Sequence, residues 1–178
     1  SNYAQTSNIR LSAVRPEMEQ RTVTDLVRRI KTSGATQDEF VKPGEIIVPE
    51  NLVKGLGVNI GDEIVLIATN KEGSVNALPV RIGGVVETVL GPTGKDGYIH
   101  FSDAMILLRM ERPEVIEIAV KVKDFDKLGR VSGSLKGAFS SPGSAAEVHT
   151  WDQLSPFASI AKIVDLLILV VKFILISI

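Results

Sequence analysis

His100, Ser102 and Asp103 fall within four consecutive positions and supply a base, a hydroxyl nucleophile and a carboxylate. In an acyl-transfer site the base takes the hydroxyl proton while a third group orients the imidazole, and the members come from separate segments. A cluster this local lacks a specific orienter for the base, so Ser102 is read as the cap of a following helix. The loop Gly91-Pro92-Thr93-Gly94-Lys95-Asp96-Gly97 invites a phosphate-binding reading. That motif needs a glycine five positions before Gly94 and a hydroxyl after the lysine, where the chain has Val89 and Asp96. It reads as a solvated hairpin loop. His100 and His149 are the two histidines, without an obvious third metal ligand, and neither HExxH nor a calcium-loop pattern occurs. No catalytic, cofactor-binding or metal-binding residue is assigned, and no enzyme is expected.

Charge and composition narrow the classes that remain. The 178 residues carry 20 Lys and Arg against 21 Asp and Glu, a formal net charge of -1. Nucleic-acid binding usually needs a basic face, so no nucleic-acid partner is expected. The absence of cysteine rules out a disulfide framework and a thiolate zinc site. The length suits one domain or two small ones. Ser1-Asn2 reads as a tag-cleavage residue, so the want of a leader says nothing about location.

The elements that would position any site follow from periodicity. Residues 8–14 alternate Ile9, Leu11 and Ala13 with Arg10 and Ser12, the pattern of a half-buried strand, and Arg15-Pro16 closes it. A helix with the capping box Thr22-Val23-Thr24-Asp25 should follow, with Val23, Val27 and Ile30 on one face and Gly34 as its stop. Residues 35–44 form a polar linker ending in Pro43-Gly44. Next come the strand Glu45–Pro49, a brief helix with Leu52 and Leu56, the turn Asn59-Ile60-Gly61-Asp62 and the strand Glu63–Ala68. A tight turn at Asn70-Lys71-Glu72-Gly73 leads to a strand alternating Leu78, Val80 and Ile82. Gly83-Gly84 marks a bulge that shifts the phase of Val85 and Val86. A strand Tyr98–Phe101 then precedes a helix with Ile106, Leu107 and Met110 on its apolar side, ended by Glu111-Arg112-Pro113.

The cleanest strand signal is Ile116, Ile118, Val120 and Val122 alternating with Glu117, Ala119, Lys121 and Lys123. Asp124 caps a helix with the stripe Leu128, Val131, Leu135 and Phe139, and Ser140–Ser144 breaks it. Ala145–Thr150 is a last strand. The block reads as a β-α-β unit whose strands share a sheet, and its natural partner is the N-terminal βα unit.

Beyond it the chain changes character. Leu166–Ile178 is apolar but for Lys172 and Ser177, and a bilayer core of about 30 Å takes roughly 20 apolar residues. The run cannot span by itself and reads as the outer half of a membrane helix; a buried core helix or an aggregation-prone strand are the alternatives. Phe157–Asp165, holding Lys162 and Asp165, reads as a stalk, and Trp151–Pro156 as a hinge. Trp151 suits an interfacial anchor or a packing residue. Packing is preferred, because Pro156 and Lys162 precede the apolar run.

The stretch Ile46-Ile47-Val48-Pro49-Glu50-Asn51-Leu52-Val53-Lys54-Gly55-Leu56-Gly57-Val58-Asn59-Ile60-Gly61-Asp62-Glu63-Ile64-Val65-Leu66 is similar to two families. One is the extracytoplasmic core domain of FtsX-like ABC permeases of the MacB and lipoprotein-releasing types. The other is the swapped-hairpin DNA-binding domain of the AbrB type. The surrounding chain favours the permeases. Ala13-Val14-Arg15-Pro16, Val80–Thr88, Tyr98–Ala104 and Val148–Pro156 each resemble the corresponding permease segments, the last entering the second membrane helix.

That resemblance implies an α+β domain of a permease subunit in the cell membrane, facing the periplasm or cell exterior. Residues 1–40 would begin an α+β subdomain, 41–114 form an inserted, barrel-like β subdomain, 115–156 complete the first, and 157–178 be stalk and part of a transmembrane helix. It also implies membrane helices lying outside this sequence. The implied partners are a cytosolic ABC ATPase, a possible second permease subunit as homo- or heterodimer, and an extracytoplasmic lipoprotein, peptide, lipophilic compound or adaptor. No cofactor is implied, since the ATPase would bind the nucleotide. A membrane-tethered hydrolase using Ser102 and His100 is the rival class, with the AbrB-like domain third.

Overall fold

A computed structural model describes residues 5–22, 28–32, 39–87, 96–141, 146–154 and 156–177. The chain divides into two compact units, Ser1–Lys121 and Val122–Ile178.

Six strands of the first unit form one mixed sheet: β1 (Arg10–Val14), β2 (Ile30–Thr32), β3 (Glu45–Pro49), β4 (Glu63–Thr69), β5 (Val75–Val86) and β6 (Asp96–His100). Their order is β1-β6-β3-β5-β2, with β4 also on β5. The helices of this unit are α1 (Pro16–Thr22), α2 (Glu50–Leu56) and α3 (Phe101–Leu107). The fold is therefore mixed α+β. Strands from both sides of residue 41 share the sheet: β1 runs parallel to β6, and β2 antiparallel to β5.

The twelve residues of β5 serve two neighbourhoods. Val75–Arg81 pairs antiparallel with β4, while Arg81–Val86 runs parallel to β3. The switch is made at a bulge, where Ile46 opposes Ile82 but Ile47 opposes Gly84. Gly83 is thus the extra residue. Before it, Val80 and Ile82 face a cluster with Ile46, Val48, Leu52, Leu66, Ile99, Ala104 and Leu107. After it, Val85 packs against that same cluster while Val86 joins Val14, Phe40, Val41 and Ile47 on the other face. The phase shift expected at Gly83-Gly84 is present. Ile46, Ile47, Val48 and Ile82 are wholly buried, and each such side chain contributes roughly 1.5–3 kcal/mol.

Local chemistry explains the turns. Pro49 stands at the N-cap of α2 in extended conformation, and Gly57 ends the helix at φ 64°, its N–H donating to Val53 O. Lys54 Nζ lies 3.1 Å from Glu50, and this hydrogen bond and charge hold the Glu50 carboxyl below its usual range. In the next turn Asn59 N–H donates to Asp62 Oδ2 at 2.8 Å, with Gly61 at φ 98°. The β4–β5 turn closes through Asn70, whose N–H donates to Ser74 O and whose Oδ1 accepts from Ser74 N–H.

Several expectations need correction. The chain is already helical from Pro16, in α1, because proline's fixed φ suits a first helical position; beyond Thr22 the expected capping box lies outside the described residues. Ile30 belongs to β2, where it opposes Val86; Val23, Val27 and Gly34 lie outside the described residues. The cap of α3 is His100, whose imidazole accepts from Ser102 N–H at 3.3 Å. Its dry side is Phe101, Ala104 and Leu107, whereas Ile106 is exposed. The sequence pattern of residues 116–123 and 146–150 does not produce strands, so the expected β-α-β sheet is not formed among the described residues. Ala145 lies outside them. Alternation makes a strand only against an edge that accepts it, and among the described residues 115–121 pairs with none.

In the second unit, Asp124 Oδ1 accepts from Asp126 N–H and opens a 3-10 turn, Phe125–Lys127, that runs into α4 (Leu128–Ala138). Leu128, Val131 and Leu135 are half-buried, and Phe139 is exposed. Thr150 N–H donates to Gln153 Oε1, and Gln153 N–H to Thr150 O, at the start of α5 (Trp151–Leu154). Finally α6 runs unbroken from Pro156 to Ser177.

Candidate functional site

The histidine cluster is drawn together by the β6–α3 junction. His100 ends β6, so its ring reaches forward over the first turn of α3, and Nδ1 sits 2.7 Å from Ser102 Oγ. The same nitrogen also accepts from Ser102 N–H. Asp103 points elsewhere: it is 4% exposed and its Oδ2 accepts from Gly44 N–H at 2.8 Å. A triad needs the carboxylate on the far nitrogen of the ring. Here the carboxylate instead fixes the turn entering β3, where Gly44 has φ 80°. The three residues are therefore adjacent without forming a relay, and they work as cap and pin.

His149 Nε2 lies 3.0 Å from Glu147, with both side chains largely exposed. Among the described residues no group of three or more His, Asp or Glu is placed to hold a metal ion. The Gly91–Lys95 loop lies outside the described residues; Asp96 and Gly97 belong to β6. Trp151 meets Phe125 with ring centroids 6.3 Å apart, a tilted aromatic contact, while remaining largely exposed.

Two exposed apolar surfaces lie on regular elements among the described residues. One is the outer face of the β4–β5 ribbon, where Val65 opposes Pro79, Ile67 opposes Ala77, and Val75 opposes Thr69. Val65, Ile67 and Val75 are 59%, 66% and 67% exposed, and the Glu63–Arg81 pair bounds one end. Sequence reasoning missed this face, although the signal was there. Ile64-Val65-Leu66-Ile67-Ala68 is a continuous apolar run, the mark of a strand that wants cover on both sides, and only Leu66 is buried.

The other is α6. The six consecutive residues Leu166–Val171 turn through more than a full circle of helix, and all are exposed, as are Phe173, Ile174 and Leu175. Lys162, Asp165 and Lys172 interrupt its apolar sequence. Among the described residues no helix is long and apolar enough to cross a membrane. No protein-family model matches the chain, and no curated protein matches it either.

Proposed function

We propose that this chain is the extracytoplasmic domain of an FtsX-like ABC permease subunit, as its resemblance implies. In this reading α6 is the outer part of a membrane helix that carries motion from a cytosolic ATPase to the domain. The observation that carries it is the exposed, apolar circumference of α6. A helix apolar all round belongs in a large core or a bilayer, and α6 begins at Pro156, the last residue of the stretch that resembles the permease entry, Val148–Pro156. The exposed ribbon Val65, Ile67, Val75 and Pro79 then offers a place for a lipophilic or peptide cargo. The division into subdomains at 40/41 and 114/115 belongs to the same proposal.

The hydrolase reading has less support, because Asp103 serves Gly44 instead of the His100 ring. The deciding experiment purifies the full-length gene product from its membrane in mild detergent. A stoichiometric ATP-hydrolysing subunit is expected to accompany it, together with further membrane helices in the same polypeptide. A full-length product with no other membrane helix, or one isolated without an ATPase, overturns the proposal.

A further inference from the structure

Residues 115–121 combine a strong strand pattern with the absence of any strand. Val115, Ile116, Ile118 and Val120 are 60–109% exposed. Among the described residues, the backbone of 115–121 makes no hydrogen bond. Its charges are equally unsatisfied: neither Glu117 nor Lys121 has an ion-pair partner among the described residues. Glu117 lies instead near another carboxyl, Glu19, which burial and the Glu117 charge push above its usual range. An apolar strand with free donors and acceptors is a template for another strand.

The sequence itself says which strand fits. Two copies of Ile116–Val122 laid antiparallel about Ala119 place Ile116 opposite Val122, Ile118 opposite Val120, and Glu117 opposite Lys121. By symmetry each pair occurs twice. Every aliphatic residue meets an aliphatic residue on one face, and both acid–base pairs meet on the other. Parallel in-register pairing does the opposite, setting Glu117 against Glu117 and Lys121 against Lys121. Directly opposed side chains are the stabilising unit of a sheet, and like charges in that position destabilise. A two-fold contact of this kind is self-complementary and closes on itself.

We propose that residues 116–122 form the two-fold interface of a homodimer, pairing antiparallel with the same segment of a second copy and centred on Ala119. This inference stands on the segment's own pattern and exposure and does not rest on the permease reading.

Charge exchange tests it in the full chain. Glu117→Lys and Lys121→Glu each replace two attractive pairs with two repulsive ones, so each alone is expected to weaken dimerisation roughly tenfold in sedimentation velocity. An equimolar mixture of the two variants restores both attractive pairs and is expected to recover wild-type affinity as a heterodimer. Because the chain has no cysteine, Ala119→Cys supplies an independent readout. Its disulfide-linked dimer should form much faster than that of Lys136→Cys on the exposed side of α4. A monomeric wild type, a dimer indifferent to the single variants, a mixture no tighter than its components, or cross-linking at Ala119→Cys no faster than at Lys136→Cys each overturns the proposal.

Discussion

Asp103 shows how a residue of catalytic type can serve structure alone. Its carboxylate accepts the Gly44 N–H from within the first turn of α3, in a buried setting. Replacing it with alanine leaves that donor unpaired, and Asp103→Ala is expected to cost about 1.5–3 kcal/mol in urea unfolding. Ser102→Ala removes only the hydroxyl contact with His100 Nδ1, leaving the imidazole cap in place, so a far smaller loss provides the contrast. Sequence proximity showed that His100, Ser102 and Asp103 share a turn. It could not show that the carboxylate turns towards residue 44, because that depends on a contact 59 positions distant. The exchange of cap from Ser102 to His100 has a similar origin, since the imidazole at the end of β6 accepts from the N–H of Ser102 itself.

Among the elements, β3, α2, the 59–62 turn, β4 and the bulge in β5 were all legible, because local residues specify each: Pro49, Gly57, Gly61, Asp62 and Gly83. The 116–123 strand was misread for the reason its pattern was so clear. Periodicity reports what a segment would do with a partner, and the described residues contain none for it. Glycines inside strands give a graded test of the sheet. A Cβ on Gly97 would come within 2.8 Å of the Ile47 carbonyl and 2.7 Å of Ile9 Cδ1, between two neighbouring strands. At Gly83 the obstruction is the Glu45 side chain, with Oε2 at 2.8 Å, which can swing aside. Gly97→Ala should therefore cost about 1–3 kcal/mol, and Gly83→Ala clearly less, when the two are compared by thermal or urea unfolding.

For the whole molecule, both hydrophobic clusters and all six described strands fall within residues 1–121. A fragment of those residues is expected to unfold in one cooperative transition, with circular dichroism and fluorescence of Tyr98 and Tyr3 giving coincident curves. Separate transitions would mean that the sheet is not one cooperative body. The pairing of β1 with β6 carries a further consequence for how the protein is made. Arg10 opposes Asp96, and Val14 opposes His100, so the first strand must wait for 96 − 10 = 86 more residues before its neighbour exists. At about 5–20 residues per second of synthesis, that is a delay of roughly four to seventeen seconds. Throughout it, Leu11 and Val14 travel on a nascent chain with no edge to join, which makes this strand a natural client for a chaperone at the ribosome.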